Sequence, residues 1–131
     1  MTGKKSKVLL VGQGAREHAI AKALKRSNLE LYAFMKAKNP GIAKLSTKVK
    51  IAKLNDYIAL EEFINEIQPD FAVIGPENPL AEGIVDFLKD KGVESIGPTK
   101  TNARVEASKS FTRDLMKKYN IPGTIEFKVF Q

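Results

Sequence analysis

Along the chain, short unbroken apolar runs alternate with stretches whose apolar residues recur every three or four positions. The first pattern predicts buried strands and the second amphipathic helices. "KVLLVG" (7–12) reads as a strand ending in glycine, and Ile20, Ala23, Leu24 and Ser27 behind it follow a helical period. Arg16 lies one turn ahead of Ile20 on that stripe, which points it toward the core. "LELYAFM" (29–35) and "VKIAKL" (49–54) predict two more strands, separated by "KNPGIAKLS", with a turn signal at Asn39-Pro40-Gly41 and one helical turn. "NDYIALEEFINEIQPD" opens with an Asn55/Asp56 cap signal, carries Ile58, Leu60, Phe63, Ile64 and Ile67, and stops before Pro69. "DFAVIGP" (70–76) is the next strand. "NPLAEGIVDFLKDKG" then predicts one helix, with Pro79 near its first turn and Gly92 past its end. "VESIGP" (93–98) is the last strand, and "TNARVEASKSFTRDLMKKYNIPG" gives one capped, basic helical stretch ending at Asn120.

Strands that alternate with helices across short loops argue for a parallel sheet covered on both faces. The expected fold is therefore α/β, a Rossmann-like doubly wound parallel sheet. Ligands in such sheets bind beyond the carboxyl ends of the strands, where the strand order switches. The loops after the first and fourth strands then meet at one edge. They are "GQGAREH" (12–18) and "GPENPL" (75–80).

Composition narrows the classes. A chain of 131 residues is long enough for one well-buried core. It has no cysteine, which removes disulfides and thiolate metal sites and favours a cytoplasmic setting. No apolar run approaches the roughly 18–20 residues of a membrane span, and "MTGKKSK" is followed by a strand rather than a signal-peptide core. The formal charge of +7, from 22 Lys and Arg against 15 Asp and Glu, favours anionic ligands. The lysines are scattered and not interleaved with aromatics, so a solvated surface is expected rather than a nucleic-acid face.

In "GQGAREH", Gly12 and Gly14 permit a sharp turn and close approach to an anion, whose charge the free N–H groups at the helix start would meet. The dinucleotide fingerprint requires a third glycine where this chain has Glu17, and an acid after the second strand where it has Lys36 and Lys38. Conventional NAD use is disfavoured. Arg16 could pair with a carboxylate or contact a phosphate. Glu17 in the first helical turn could simply complement the helix dipole. His18, the single histidine, lies off the core stripe and cannot build a histidine-rich metal site. In "GPENPL", Glu77 stands between two prolines at a strand's carboxyl end, where it could meet a substrate amine or hydroxyl, or cap the next helix as Asn78 also could.

Taken together, "VLLVGQGAREHAIA", "VIGPENPLAEGIVDFL" and "IGPTKTNARVEASKSFTRDLMKKYNIP" resemble the amino-terminal third of the phosphoribosylamine–glycine ligase family, within the ATP-grasp superfamily. The likeness runs from Lys7 to about Pro122. The family pattern Gly-Asn-Gly-Gly-Arg-Glu-His is matched at Gly12, Gly14, Arg16, Glu17 and His18, with Gln13 and Ala15 departing from it. A second pattern is matched at Gly75, Pro76, Glu77, Pro79, Leu80, Gly83 and Asp86, and a third at Gly97, Pro98, Thr99, Glu106, Ser108, Lys109 and Phe111. "KNPGIAKLS" departs from the family and contributes no residue to the comparison.

The resemblance implies a pre-ATP-grasp domain over residues 1–120, followed by the start of the ATP-grasp region over 121–131. It also implies a reaction of purine biosynthesis in which ATP, glycine and 5-phosphoribosylamine give glycinamide ribonucleotide, ADP and phosphate, with Mg2+. The glycine carboxylate is activated as an acyl phosphate and then attacked by the amine. By that analogy Gly12, Gln13, Gly14, Ala15, Arg16, Glu17 and His18 face the phosphoribosyl substrate, with its phosphate at the first helix. Pro76 and Glu77 face its amine or ribose, and Lys109 contacts ATP phosphate. The metal ligands and most nucleotide contacts belong to ATP-grasp domains supplied in cis or in trans, so these 131 residues alone are expected to lack ligase activity. Two other readings stay open. One is an NADP- or nucleotide-binding module using Lys36 and Lys38, and the other a basic nucleic-acid-binding protein.

Overall fold

The computed structural model describes residues 4–123 together with residues 126, 128 and 130. Five strands form one all-parallel sheet: β1 (Ser6–Val11), β2 (Leu29–Met35), β3 (Lys48–Ile51), β4 (Phe71–Ile74) and β5 (Glu94–Ile96). Their spatial order is β3-β2-β1-β4-β5, the order of a doubly wound sheet with its switch point between β1 and β4. In register, Val11 lies beside Phe34 on one side and Ile74 on the other, so three strands end at one level.

The central strand explains the architecture. Val8, Leu9, Leu10 and Val11 are all fully buried, which requires cover on both faces. On one face Val8 and Leu10 join Leu31, Ala33 and Met35 beneath α1 (Ala15–Leu24) and α2 (Pro40–Leu45), which contribute Ala21 and Ile42. On the other, Leu9 and Val11 join Phe34, Ala72 and Ile74 beneath α3 (Tyr57–Ile67), α4 (Glu77–Glu82) and α5 (Ile84–Asp90). Phe63 of α3 sits over that face, its ring centroid 6.5 Å from Tyr32 and 6.3 Å from Phe34. Burying such side chains contributes about 1.5–3 kcal/mol each.

The helix ends follow local chemistry. Asp56 caps α3, its carboxylate accepting from the Ala59 N–H at 3.0 Å. "NPGIAK" forms a longer helix than the single turn expected, because Asn39 caps it and Pro40 presets its first φ. Two predicted continuous helices are each divided. "NPLAEGIVDFLKDKG" breaks at Gly83, whose φ of 94° ends α4 in the left-handed region before α5 begins. The last stretch separates into α6 (Lys100–Ala107) and α7 (Lys109–Lys118) at Ser108, whose extended backbone lets its hydroxyl accept from the Phe111 N–H. Of the expected region 121–131, residues 124, 125, 127, 129 and 131 lie outside the described residues, as do the first three residues of the chain. No described helix is long and apolar enough to cross a membrane.

Candidate functional site

The loop 12–14 leaves β1 and enters α1, while Gly75 and Pro76 join β4 to α4 beside it. Backbone bonds tie both to the sheet: the Gly12 N–H donates to Phe34 O at 3.0 Å, and the Gly75 N–H to Val11 O at 3.1 Å. Arg16 adds a third tie. Its guanidinium is exposed, and Nη1 donates to Gly75 O at 3.2 Å, so the core-facing placement expected for it is corrected. A long charged side chain at the first turn of α1 leans past the sheet end rather than over it.

Glu17 occupies the centre. Only 5% of it is exposed, and it is the one buried charged residue among those described. A Cβ built on Gly12 would stand 2.6 Å from its Cγ, one on Gly75 would stand 2.4 Å from the same atom, and one on Gly14 would lie 3.0 Å from Oε2. The three glycines thus leave the space that this carboxylate fills. Gly12 needs glycine twice over, since its φ is 121°. Among the described residues no donor reaches hydrogen-bonding range of the carboxylate. A phosphate placed about 4 Å from it would meet a repulsion of about 4 kcal/mol per unit charge at an effective dielectric near 20.

The carboxylate faces a cleft of about 550 Å3 beyond the carboxyl ends of the strands. Gln13, Gly14 and Glu17 line it from the first loop, and Pro76, Asn78 and Pro79 from the β4 side. Lys36 after β2, and Lys53 and Asn55 after β3, line the remaining wall. Gln13 connects the walls: its Oε1 accepts from the Lys36 N–H at 3.2 Å, and its carbonyl accepts from Asn39 Nδ2 at 2.9 Å. The family departure at Gln13 therefore has a structural role. Glu82, also on the lining, is steadied where Tyr57 Oη donates to its carbonyl at 3.3 Å while the Tyr57 ring stacks on Phe87. Burial, and then the nearby Glu82 and Asp86 carboxylates, push the Tyr57 hydroxyl above its ordinary pKa.

Not every predicted residue converges. Gly12 is buried under Glu17, Ala15 is exposed at the start of α1, and neither is on the lining. His18 is half-buried, its ring so close over Gly41 that a Cβ there would lie 2.3 Å from Cε1. It fixes α1 against α2. Glu77 is exposed at the first position of α4 and off the lining, while Pro76 takes the cap position with no side-chain cap, so neither Glu77 nor Asn78 caps that helix. Lys53 and Asn55 were missed. Their signal was positional: both directly follow a parallel strand, at the same edge as the two loops.

A family model described as "Phosphoribosylglycinamide synthetase, N domain" matches residues 6–106. The chain belongs to this family. A relative named phosphoribosylamine–glycine ligase, from Methanocaldococcus jannaschii, is 52% identical over 126 residues, covering 95% of this chain and 28% of the relative. The chain thus spans little more than a quarter of the length of that relative. Solved structures add the fold. Phosphoribosylglycinamide synthetase from Anaerococcus prevotii is similar with a TM-score of 0.68 and 16% identity, over 89% of this chain and 30% of that one. N5-carboxyaminoimidazole synthetase from Staphylococcus aureus, complexed with ADP, gives 0.71 and 13%, over 86% and 30%.

Within the family pattern, several motif residues carry structure. Thr99 Oγ1 caps α6 by accepting from the Asn102 N–H, and the Asp86 carboxylate accepts from the Lys100 N–H at 3.1 Å. Ser108 caps α7. Lys109 stands exposed at the first position of α7 and is absent from the cleft lining. Among the described residues no three His, Asp or Glu side chains converge as metal ligands, so the residues present do not fit Mg2+.

Proposed function

We propose that this chain is the substrate-holding amino-terminal domain of a phosphoribosylamine–glycine ligase, acting in the cytoplasm on purine biosynthesis. Its substrate would be 5-phosphoribosylamine and the product glycinamide ribonucleotide. The observation that carries this reading is the 52% identity to a relative of that name, extending over 95% of the chain and through both cleft loops. ATP, when bound with Mg2+ by further ATP-grasp domains in cis or in trans, would supply the activation of glycine; a neighbour of the same fold complexed with ADP supports the nucleotide. This chain's own residues have the simpler tasks of holding the ribosylamine and orienting its nitrogen. Gln13 and Asn39 keep the first loop fixed to the β2 loop, and Glu17 presents an unpaired carboxylate to the cleft. Arg16 braces the second loop through Gly75 O; His18 and Glu77 toward the ribosylamine, and Lys109 toward ATP phosphate, are assigned by family analogy alone.

An NADP module is disfavoured by the same geometry. A dinucleotide's pyrophosphate sits against the glycine loop at the helix start, which here is filled by a carboxylate. An amide-shift titration of the chain with glycinamide ribonucleotide, and separately with NADPH, tests the choice. Shifts of residues 12–18 and of the cleft wall with the ribonucleotide are expected. A response to NADPH alone would move the chain to the dinucleotide class, and a response to neither would remove substrate holding from it.

A further inference from the structure

Resting on the ribosylamine reading, we infer that the cleft is polarised: the substrate nitrogen lies against Glu17, and the 5-phosphate is held by Lys36 and Lys53, not by the glycine loop. The first half follows from Glu17. It is buried to 5% exposure, lies on the cleft lining and has no donor among the described residues. A mostly buried carboxylate that opens only onto the cleft and has no partner leaves its acceptor capacity to a ligand N–H or ammonium. A phosphate against it would add a second negative charge to the first.

The second half follows from what remains on the lining. Lys36 and Lys53 project from the loops after β2 and β3, on the wall away from Pro76. Neither ammonium group has an ion pair or hydrogen bond among the described residues. Asn55 beside them adds a neutral amide donor. Two free cations and an amide from the loops after β2 and β3, set against the carboxylates of Glu17 and of the exposed Glu82 on the same lining, match a ligand with nitrogen at one end and phosphate at the other. The cleft volume of about 550 Å3 falls within the range of small-molecule sites. Lys38, equally close in sequence, is exposed and absent from the lining, so it serves as the control.

The test measures the affinity of this chain by calorimetry for three probes: glycinamide ribonucleotide, its 5-dephosphorylated nucleoside, and ribose 5-phosphate. Wild type is expected to prefer the ribonucleotide to the nucleoside by at least about ten-fold, the weight of one good charge-assisted contact. In Lys36→Ala/Lys53→Ala that preference falls to near unity, because the backbone N–H that holds Gln13 is kept and only the cations go. Glu17→Gln weakens the ribonucleotide by about ten-fold and leaves ribose 5-phosphate unchanged, since that probe has no nitrogen. Lys38→Ala changes neither. If the double variant keeps the wild-type preference, or wild type has none, the phosphate assignment is overturned while the substrate reading stands. If Glu17→Gln weakens ribose 5-phosphate equally, the nitrogen assignment fails. Wild type that binds none of the probes overturns the inference and the substrate reading together.

Discussion

Gly75→Ala isolates the packing of Glu17 because competing effects predict opposite signs. Gly75 does not have a left-handed φ, so alanine fits its backbone. In open space the change would stabilise by about 0.4–1 kcal/mol, through a less flexible unfolded chain. Here the new methyl carbon would stand 2.4 Å from Glu17 Cγ, 2.5 Å from Oε1 and 2.6 Å from Cδ. The buried side chain must move, and its free direction is the cleft. Overpacking of this kind costs about 1–3 kcal/mol, which outweighs the entropic gain. For a chain of this size each kcal/mol lowers Tm by roughly 4 °C, so a fall of several degrees is expected.

The second arm of the cycle is Glu17→Ala. Losing its Cγ methylene costs about 0.8 kcal/mol, while removing a mostly buried, unbonded carboxylate returns about 1 kcal/mol. The single variant should therefore be near neutral. In its background, Gly75→Ala should turn from destabilising to neutral or stabilising, giving a coupling energy of about 1–3 kcal/mol by thermal or urea unfolding. Gly75→Ala as stable as wild type, or equally harmful with and without Glu17, would refute the carboxylate's placement in the glycine cradle.

Two further perturbations probe the frame of the cleft. Asn39→Ala removes the acceptor that caps α2 through the Gly41 and Ile42 N–H groups, and the donor to Gln13 O; a loss of about 1–2 kcal/mol is expected in urea unfolding, with the Gln13 and Lys36 amide signals displaced. Alkaline titration followed by tyrosinate absorbance should find Tyr32 and Tyr57 ionising above the ordinary range. Burial raises both, followed by the hydrogen bond to Glu30 for Tyr32 and by Glu82 and Asp86 for Tyr57. The folded state then holds these protons more tightly, so their contribution is fully present below pH about 10 and is lost as pH climbs through the folded values. Tyr32→Phe should blunt that alkaline loss, and an unchanged pH profile would count against the shift.

The sheet was legible because burial writes directly into composition. Val8–Val11 of β1 and Leu31–Met35 of β2 are apolar without interruption since both faces are covered, and every strand of the sheet was anticipated to within a few residues. Helix continuity was harder. Gly83 and Ser108 can each stand inside a helix on propensity, and only the placement of the following segment selects the left-handed turn at one and the extended cap at the other. At the cleft, the two loops were recognisable, but the part played by each side chain was not. Arg16 and Glu17 are adjacent first-turn residues, and period alone turned the arginine inward. Against a sheet edge crowded by Gly12 and Gly75, the shorter carboxylate is the one that fits, while the guanidinium reaches over to the Gly75 carbonyl.

That exchange bears on how a glycine-rich strand-to-helix loop should be interpreted. The third glycine of a dinucleotide fingerprint lets helix and strand approach closely and leaves the first helical turn free for pyrophosphate. With Glu17 at that position, the same backbone, in the same strand order, has its anion site filled by a carboxylate of its own. The site's preference changes sign without any change of fold, which is why neighbours at 13–16% identity establish architecture and leave the ligand undetermined. The inferred polarity of the cleft places recognition of an anion elsewhere along the carboxyl edge. The unpaired cations on the described cleft lining follow β2 and β3, the two loops in which family motifs gave no residue to carry over. Specificity within this fold would accordingly be set by which loop supplies the negative charge and which the positive.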